Sequence, residues 1–475
     1  MRARPAVLLW LQRDLRLHDH PAWHEALRLA GPDGVVVPVF VWPDDDEEGG
    51  WPLGAAARVW LHHALVALDA DLRARGSRLV VRAGPTLPTL QGLASALGGA
   101  RVVFHGRPEG FARRREAALL AAAGRDARRI DDADIARPRD LRTGSGGPYR
   151  VFTPMYRTFL AQTVVEPPLP APSSLPAVPD AIADEPVQAL GLLPRIPWDE
   201  PMMRGWTPGE QGARAALTAF VAGPGPGYDT LRDRPGEAGT SRLSPALAFG
   251  ELSAREAYVC AAAAGDALAP WQRQLVWRVF GRNLLAIDER LPDQPLQPRF
   301  GAFPWRDDAA ALRAWQRGRT GYPIVDAGMR ELWARGWMHN RVRMIVGSFL
   351  VKDLLLPWQA GERWFWDTLV DADLGNNAMG WQWVAGCGAD AAPYFRVFHP
   401  TTQSRRYDAD GAYLRRWLPE LALLPDRWIH EPAAAPPLVL LEAGVRLGRD
   451  YPMPIVDHAA ARDAALAAFR ALPPA

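Results

Sequence analysis

The sequence predicts a doubly wound parallel-sheet α/β domain followed by a domain that is almost entirely α-helical. From residue 6 to about 132, short apolar runs such as AVLLWLQ, VVVPVFVW and RLVVRAG alternate with segments of helical periodicity. This alternation is typical of parallel strands joined by crossover helices. Beyond Gly205 the apolar residues recur mostly at helical spacing, as in WQRQLVWRVFGRNLLAI. The second domain is therefore expected to be all-α.

A proline-rich stretch separates the two predicted domains. It begins VEPPLPAPSSLPAVPDAIADEP and covers about residues 165–200, and such proline density prevents regular helix or sheet. We assign residues 1–132 to the α/β domain, 133–204 to an interdomain linker and 205–475 to the helical domain. No GxGxxG motif follows the first predicted strand, so the usual dinucleotide site is not predicted there.

Composition restricts the class of protein. The only cysteines are Cys260 and Cys387, which excludes a cysteine-built metal site. Charged residues interrupt the start of the chain and no apolar run reaches membrane-spanning length, so we expect a cytoplasmic protein without a membrane span. The net charge of +2 does not by itself indicate a polyanionic partner. The 20 tryptophans suit a flat ligand, stacked bases or electron relays.

One predicted helix carries polar and aromatic side chains together. In WQRQLVWRVF, Gln274, Trp277 and Arg278 stand at i, i+3 and i+4, so an amide, an indole and a guanidinium are expected to project together. Burying such a group without partners costs free energy. The pattern therefore favours a ligand site.

A second predicted helix repeats the feature. In GWMHNRVRMIV, Asn340 shares a face with Arg343 and Met344. Two interpretations stay open at this point. The side chains line a ligand site, or the arginines form buried ion pairs with Asp371 and Asp373.

A run of small and hydroxyl residues follows Gly239. It consists of Thr240, Ser241, Arg242, Leu243 and Ser244. Such a run offers N–H and hydroxyl donors to a phosphate where a helix begins after Pro245. Serine and threonine are also ordinary helix caps, so this motif alone is weak.

Taken together, these stretches resemble the DNA photolyase and cryptochrome family, along nearly the whole chain and in the same order. The matching motifs are LQRDLRLHD, GTSRLSP, GRTGYPIVDAGMRELWARGWMHNRVRM, DADLGNN, WQWVAG and DAAPYFRVF. In that family an α/β antenna domain precedes a helical domain that holds FAD in a U shape. The pattern looks closest to class I photolyases acting on cyclobutane pyrimidine dimers, with departures in the pocket.

The resemblance implies a set of FAD contacts. They are Tyr228, Thr240, Ser241, Arg242, Leu243, Ser244, Trp271, Arg278, Asn340, Arg343, Asp371, Asp373 and Asn377. Asp371 is expected to fix Arg343 beside the flavin. Asn377 matches the position facing flavin N5, where an amide oxygen accepts the N5 hydrogen, so reduced FAD is the implied working form. For a second, antenna chromophore Glu109 matches one folate-holding position, although a lone glutamate is usually solvated, and its identity stays open.

The resemblance also implies an electron-transfer chain and a lesion pocket. Trp381 matches the tryptophan nearest the flavin, and Trp358 and Trp305 continue the chain. The implied DNA contacts are Arg232, Gln274, Trp277, Asn340, Arg341, Met344, Trp383 and Arg396. An extruded pyrimidine dimer would lie in this pocket against aromatic surfaces, and the arginines imply salt-sensitive binding with little sequence preference.

The implied activity is that of a deoxyribodipyrimidine photo-lyase, a carbon–carbon lyase acting on UV-damaged DNA. Light drives electron transfer from reduced flavin to the dimer, and the catalytic residues would be Trp305, Trp358, Trp381, Asn377 and Gln274. We expect a monomer. The alternative is a cryptochrome-like flavin photoreceptor without repair activity, and the short segment after Met453 favours repair over signalling.

Three positions depart from the family pattern. Gln274 stands where dimer photolyases usually carry Glu, Val279 changes WREF to WRVF, and His399 changes FNP to FHP. An amide accepts a weaker hydrogen bond than a carboxylate from the lesion's ring N–H, and its NH2 group can turn toward a pyrimidine carbonyl. We therefore expect inefficient repair of cyclobutane dimers. A (6-4) photolyase is disfavoured, because His339 alone does not recreate that branch's histidines.

Overall fold

A computed structural model describes residues 4–132, 134–137, 140–390 and 395–474. Part of the DAAPYFRVF motif, residues 391–394, lies outside the described residues. The strands within the described residues all belong to the amino-terminal region. They are Ala6–Leu11 (β1), Val35–Trp42 (β2), Val80–Ala83 (β3), Ala100–His105 (β4) and Ala127–Ile130 (β5).

The strands form one parallel sheet in the order β3-β2-β1-β4-β5. Every residue of β1 is buried, as expected for a strand covered by helices on both faces. The helices of this region are Pro21–Ala30 (α1), Ala55–Arg73 (α2), Thr86–Ala96 (α3) and Gly110–Ala123 (α4). The strand order reverses between β1 and β4, where doubly wound folds open a crevice at the carboxyl ends of the strands. The predicted α/β domain is confirmed.

The remainder of the described chain is helical and connecting. The helices are Phe152–Gln162 (α5), Asp199–Met203 (α6), Glu210–Ala222 (α7), Tyr228–Leu231 (α8), Ser244–Phe249 (α9), Ala254–Ala263 (α10), Ala269–Ile287 (α11), Ala309–Gln316 (α12), Pro323–Arg335 (α13), Asn340–Ser348 (α14), Trp358–Thr368 (α15), Leu374–Ala385 (α16), Pro400–Tyr407 (α17), Ala412–Trp417 (α18), Asp426–Ile429 (α19), Pro437–Glu442 (α20) and His458–Arg470 (α21). None of the helices in the described part combines the length and the apolar character needed to cross a membrane. The all-α second domain is confirmed.

The interval 133–204, predicted as a linker, contains α5 and α6 besides the extended proline-rich stretch. Helix α5 packs on α11, because the ring of Phe152 stacks on Trp277 with centroids 3.6 Å apart and planes within 8°. Phe152, Met155 and Phe159 are buried. Their spacing at i, i+3 and i+7 is a helical signal that the neighbouring prolines obscured in the sequence.

Buried polar contacts join the α/β and helical regions. Glu251, which follows α9, accepts hydrogen bonds from Trp60 Nε1 in α2 at 3.0 Å and from the Gly209 N–H at 2.5 Å. The backbone N–H of Leu15, beyond β1, donates to Phe249 O at 3.1 Å. Burial raises the pKa of Glu251 to about 7. The carboxyl group at this junction is therefore protonated over much of the acidic range.

Replacing Glu251 should reveal this bound proton as a dependence of stability on pH. Between about 4.5, the ordinary pKa of the side chain, and about 7 the folded protein holds a proton at Glu251 that the unfolded chain has lost. The contribution of Glu251 to the free energy of unfolding therefore falls as pH rises through this window, by at most about 1.4 kcal/mol per pH unit. Glu251→Gln cannot lose a proton. Urea unfolding over this range should show the variant gaining stability relative to wild type, and then a constant difference above about pH 7.

The matched control is Glu237→Gln, which removes a surface carboxylate that is paired with Arg234. Its comparison with wild type gives the effect of losing one negative charge without burial. If Glu251→Gln differed from wild type by the same amount at every pH, the raised pKa of Glu251 would be wrong.

Candidate cofactor and DNA site

A chain of hydrogen bonds connects predicted cofactor residues from separate parts of the sequence. Ser244, at the start of α9, donates to Asp371 Oδ2 at 2.6 Å, and Arg343 of α14 donates to the same oxygen at 2.7 Å. Arg343 Nε also donates to Met338 O at 2.8 Å. Trp337 Nε1 donates to Ser244 Oγ at 3.2 Å. Asp371 therefore holds Arg343 as predicted, and Trp337, which was not among the predicted cofactor contacts, supports Ser244.

The loop before α9 has a defined and strained shape. Trp271 of α11 donates from Nε1 to Ser241 Oγ at 3.3 Å. Arg242 has a φ of +53°, a left-handed conformation that costs energy unless its surroundings fix it. Its guanidinium lies 4.2 Å from the ring centroid of Trp206 and 5.2 Å from that of Trp337. These two tryptophans supply the contacts that hold Arg242.

Helix α16 positions the amide of Asn377, whose Oδ1 accepts no hydrogen bond from the residues that the structure describes. Asn377 Nδ2 donates to Glu362 O at 3.0 Å, so its Oδ1 atom is left to accept from another group. The helix crosses α11 closely, because a Cβ atom on Gly375 would lie 2.9 Å from Gly281 O. Asp373 caps the same helix by accepting from the Asn376 N–H at 2.9 Å. The short crossing and the cap set the position of the Asn377 amide.

Several polar atoms around this region fit a bound flavin dinucleotide. Asp371 Oδ1 and Arg242 Nε are buried and have no hydrogen-bond partner among the described residues, whereas such atoms are almost always partnered in folded proteins. Hydroxyl donors, a fixed guanidinium and a free amide oxygen suit the diphosphate, the ribityl chain and the edge of a flavin ring. Among the other predicted contacts, Tyr228 and Leu243 are buried.

Arg278 does not project with Gln274 and Trp277 as the spacing predicted. Its NH2 group donates to Leu247 O at 2.9 Å, and the side chain lines a cavity between the two domains together with Asp373. Burial lowers the pKa of Arg278. Gln274 and Trp277 instead line a surface groove. Successive residues of a helix point about 100° apart, so α11 serves two separate cavities.

The interdomain cavity lies at the carboxyl ends of β1 and β4. Glu109 lines it and is buried, whereas its sequence context predicts a solvated surface glutamate. Its carboxylate is held by Arg107 Nε at 3.1 Å and NH2 at 2.8 Å. Although burial alone would raise it, Arg107 lowers the pKa of Glu109 to about 2. A folate contact at Glu109 would have to replace this pair.

Asp14, His20 and His105 form the one cluster of metal-ligand composition that occurs in the described ranges. His105 Nε2 accepts from the Ala22 N–H at 3.1 Å, and His20 Nδ1 accepts from the Trp23 N–H at 3.2 Å. The protons therefore sit on His105 Nδ1 and His20 Nε2, which lie 2.9 Å and 3.0 Å from Asp14 Oδ2. Nitrogens that carry protons cannot bind a metal. This cluster is a hydrogen-bond network.

The predicted tryptophan chain shows graded burial. Trp381 of α16 is buried and contacts Phe365 with ring centroids 5.0 Å apart. Gly361 makes room for it, because a Cβ atom there would lie 2.1 Å from the indole. Trp358, the first residue of α15, is also buried, and Trp305 is partly exposed. A chain from Trp381 to the surface at Trp305 is compatible with this arrangement, and its electron-transfer role stays a prediction.

Trp383 and Arg396 line a cavity of their own near the end of α16. Trp383 Nε1 donates to Asp390 O at 3.1 Å. Lys352, the only lysine of the chain, contacts Arg396 O with its Nζ and lies 4.5 Å from the ring centroid of Phe395. Burial lowers the pKa of Lys352 to about 7. The backbone carbonyl of Arg396 is therefore held by the buried amine of Lys352.

Arg341 of α14 is held by protein partners. It donates to Asp233 Oδ1 at 2.7 Å, and its guanidinium lies 4.4 Å from the ring centroid of Tyr407. Asn340 is exposed at the start of the helix, and Met344 is half-buried one turn later. A phosphate contact by Arg341 would compete with Asp233.

Two departures from the family pattern have simple local explanations. Val279 is buried in α11 with 1% of its surface exposed, so it is an ordinary core residue. His399 caps α17, because its Nδ1 accepts from the Thr402 N–H at 3.4 Å. An asparagine at this position would cap in the same way. Neither side chain lines the groove at Gln274.

Comparison with known proteins identifies both halves of the chain. Residues 7–173 match the family described as DNA photolyase, and residues 271–471 match the family described as FAD binding domain of DNA photolyase. The deoxyribodipyrimidine photo-lyase of Agrobacterium fabrum is 43% identical, and the alignment covers 98% of each chain. Cryptochrome-1 of Arabidopsis thaliana is 36% identical over 96% of this chain and 69% of its own.

Two solved structures that match nearly the whole chain belong to photolyases. A class III photolyase from Agrobacterium tumefaciens superposes with a TM-score of 0.94 at 42% identity, covering 99% of this chain and 98% of that one. An archaeal photolyase from Sulfolobus tokodaii, described as holding two FAD molecules with a light-harvesting role implied, superposes with a TM-score of 0.80 at 27% identity, covering 98% and 99%. The class I assignment drawn from the motifs is not supported by these comparisons.

Proposed function

This chain belongs to the DNA photolyase and cryptochrome family, and we propose that it is a light-driven, FAD-dependent enzyme that repairs pyrimidine dimers in DNA. The observation that carries the proposal is the Ser244–Asp371–Arg343 network, together with an Asn377 amide oxygen that has no donor among the described residues. This set provides an anchored cation and an acceptor for the edge of a flavin ring. Similarity over 98% of the chain to a deoxyribodipyrimidine photo-lyase supports the same assignment.

Each part of the site has a role in this proposal. Bound FAD would supply the photochemical electron transfer, as cofactors do for chemistry that side chains cannot perform. The Ser241 hydroxyl and the backbone N–H groups of the loop that leads to Ser244 would donate to the diphosphate, Arg343 would stabilise negative charge at the ring, and Asn377 Oδ1 would accept a hydrogen bond there. Gln274 and Trp277 hold the extruded dimer, the indole by stacking and the amide by accepting from a ring N–H.

We assign the protein to the class III photolyases on the basis of the matching solved structure. The (6-4) branch is disfavoured further by His339. Burial lowers the pKa of His339 to about 4, so this side chain is neutral at physiological pH and is not an acid for the lesion.

A second chromophore is expected in the interdomain cavity, whose wall contains both positively and negatively charged side chains.

A photoreceptor function without repair is the second candidate, favoured by the 36% identity to a plant cryptochrome. Repair assays separate the two. Protein with chemically reduced FAD is mixed with an oligonucleotide carrying one thymine dimer and illuminated, and restored thymine absorption is measured against a dark control. Light-dependent restoration supports the photolyase. Flavin photoreduction without any restoration would overturn it in favour of the photoreceptor.

Changing Gln274 tests how the lesion is held. Gln274 Nε2 donates to Pro270 O at 3.3 Å, so one hydrogen of the NH2 group already has a partner within the protein. This bond opposes the turning of the NH2 group toward a pyrimidine carbonyl, so the weaker acceptor strength of the amide is the main expected cause of slow repair. Charged hydrogen bonds contribute about 1.5–3 kcal/mol against about 1 for neutral ones, so Gln274→Glu should increase single-turnover repair several-fold. An unchanged yield would show that position 274 does not limit repair.

A further inference from the structure

An open groove continues from the predicted lesion pocket along α11. Its lining consists of Tyr156, Asp229, Arg232, Ala269, Pro270, Arg273, Gln274 and Trp277. Gln274 and Trp277 also belong to the predicted lesion pocket, so the groove adjoins the place assigned to the dimer. Tyr156 and Arg273 have no role in the function proposed above.

Stacked aromatic rings form one wall of the groove and fix its shape. Phe152 stacks on Trp277 with centroids 3.6 Å apart, and Tyr156 stacks on Phe152 at 5.5 Å with planes within 13°. Phe152 is fully buried and Tyr156 is half-buried. The column therefore runs from the lesion pocket to the surface. A rigid aromatic wall of this kind accepts any base, because every base has an apolar π-face.

The two cations of the groove lie over aromatic rings, and Arg273 also interacts electrostatically with the half-buried Asp390. The guanidinium of Arg273 lies 5.5 Å from the ring centroid of Phe152 and 5.4 Å from that of Tyr156, and that of Arg232 lies 5.4 Å from Tyr228. Within the described parts of the chain neither arginine forms an ion pair, in contrast to Arg341. A guanidinium seated on a ring keeps its hydrogen-bond donors available.

Charge complementarity identifies an anionic occupant. Among the residues that line the groove are two guanidinium groups and one carboxylate, that of the exposed Asp229. Grooves that combine unpaired cations with aromatic rings are typical of single-stranded nucleic-acid sites, where phosphates and base faces are both accessible. A base still paired in a duplex has its faces covered by stacked neighbours.

We propose that this groove is a subsite for the nucleotide that adjoins the dimer on the damaged strand. Its phosphate lies between Arg232 and Arg273, and its base contacts Tyr156. The inference rests on the proposed repair function, because the occupant is the continuation of the strand whose dimer lies at Gln274 and Trp277. The substrate is thus a strand that is unpaired for one nucleotide beyond the lesion, on one side only.

The subsite is tested by binding in the dark. Affinities are measured for a thymine-dimer dinucleotide and for trinucleotides with one nucleotide added on the 5′ or the 3′ side. For wild type, one of the two additions should tighten binding about 30-fold, equivalent to about 2 kcal/mol, the middle of the range for one stacked base. In Tyr156→Leu and in Arg273→Gln, the ratio of trinucleotide affinity to dinucleotide affinity should fall most of the way to one. Arg157→Gln, an exposed neighbour on α5 that does not line the groove, is the matched control and should keep it.

Two further readouts distinguish the subsite from a loss of folding. Asp229→Asn should tighten trinucleotide binding, because it removes the carboxylate that lines the groove among the described residues and repels the phosphate. Arg273→Gln should reduce the slope of log affinity against log salt by about 0.7, the value for one phosphate contact to a single strand. If wild type bound the dinucleotide but neither addition strengthened binding, or if Tyr156→Leu and Arg273→Gln kept the ratio, the subsite would be overturned. If wild type bound no dimer at all, the repair function itself would fail.

Discussion

Trp381→Phe should abolish the blue-light reduction of oxidised FAD while chemically reduced protein still repairs dimers. Trp381 is buried beside Phe365 and Trp315, with centroids 5.0 Å and 6.2 Å away. Phenylalanine fills most of the same space but is far harder to oxidise than an indole, so the first step of the chain is lost. The dimer receives its electron from the reduced flavin, and repair by prereduced protein does not use the chain. The measurement is bleaching of the oxidised-flavin absorption band under continuous blue light.

The control is Trp333→Phe. Trp333 is 70% exposed and stacks on Trp364, not on Trp381. The oxidised FAD of the Trp333→Phe variant should be reduced by blue light at the wild-type rate. Replacing a buried tryptophan by phenylalanine costs about 2 kcal/mol, less than full truncation to alanine, so the melting temperature is measured for both variants. Normal photoreduction of Trp381→Phe with intact flavin binding would remove Trp381 from the chain.

The fold followed from the sequence because its signals are local. Apolar runs bounded by turns identify the strands, and 3.6-residue periodicity identifies the long helices. Helix α5 is the instructive exception. Its apolar stripe of Phe152, Met155 and Phe159 is short and lies beside a proline-rich stretch, and its stability comes from stacking on Trp277, a contact 125 residues away in sequence. Local patterns do not contain that contact.

The site was predictable in its residue types and less so in its geometry. The ion pair between Arg343 and Asp371 was one of two open interpretations, and the structure contains it inside the cofactor site. The prediction that Gln274 and Arg278 project into one site was wrong. Helical spacing gives the angle between two side chains but not the cavity that each one enters. The bonds from Trp337 to Ser244 and from Ser244 to Asp371 join three separate segments of the chain, and no single motif contains all three.

Asp371→Asn should weaken FAD binding by about 30-fold, equivalent to about 2 kcal/mol. The carboxylate is buried, accepts from Ser244 Oγ at 2.6 Å and pairs with Arg343 at 2.7 Å. Asparagine keeps the shape and one acceptor oxygen but leaves Arg343 without its counter-charge. Removing one partner of a fully buried pair costs about 3–5 kcal/mol, and the 24% exposure of the Arg343 side chain reduces this loss. The measurement is the dissociation constant for FAD added to apoprotein, from quenching of flavin fluorescence.

A double-mutant cycle separates the ion pair from general damage to the site. Ser244→Ala removes one hydrogen bond to the same oxygen and should cost about 1 kcal/mol, or roughly fivefold in affinity. If Asp371 acts by fixing Arg343, then Asp371→Asn made in an Arg343→Gln background should add little further loss, because the charge it balances is already gone. An equal loss in both backgrounds would mean that Asp371 contacts the cofactor or supports the fold independently of Arg343. The buried Asp371 Oδ1, which has no partner within the described residues, is the atom through which that alternative would act.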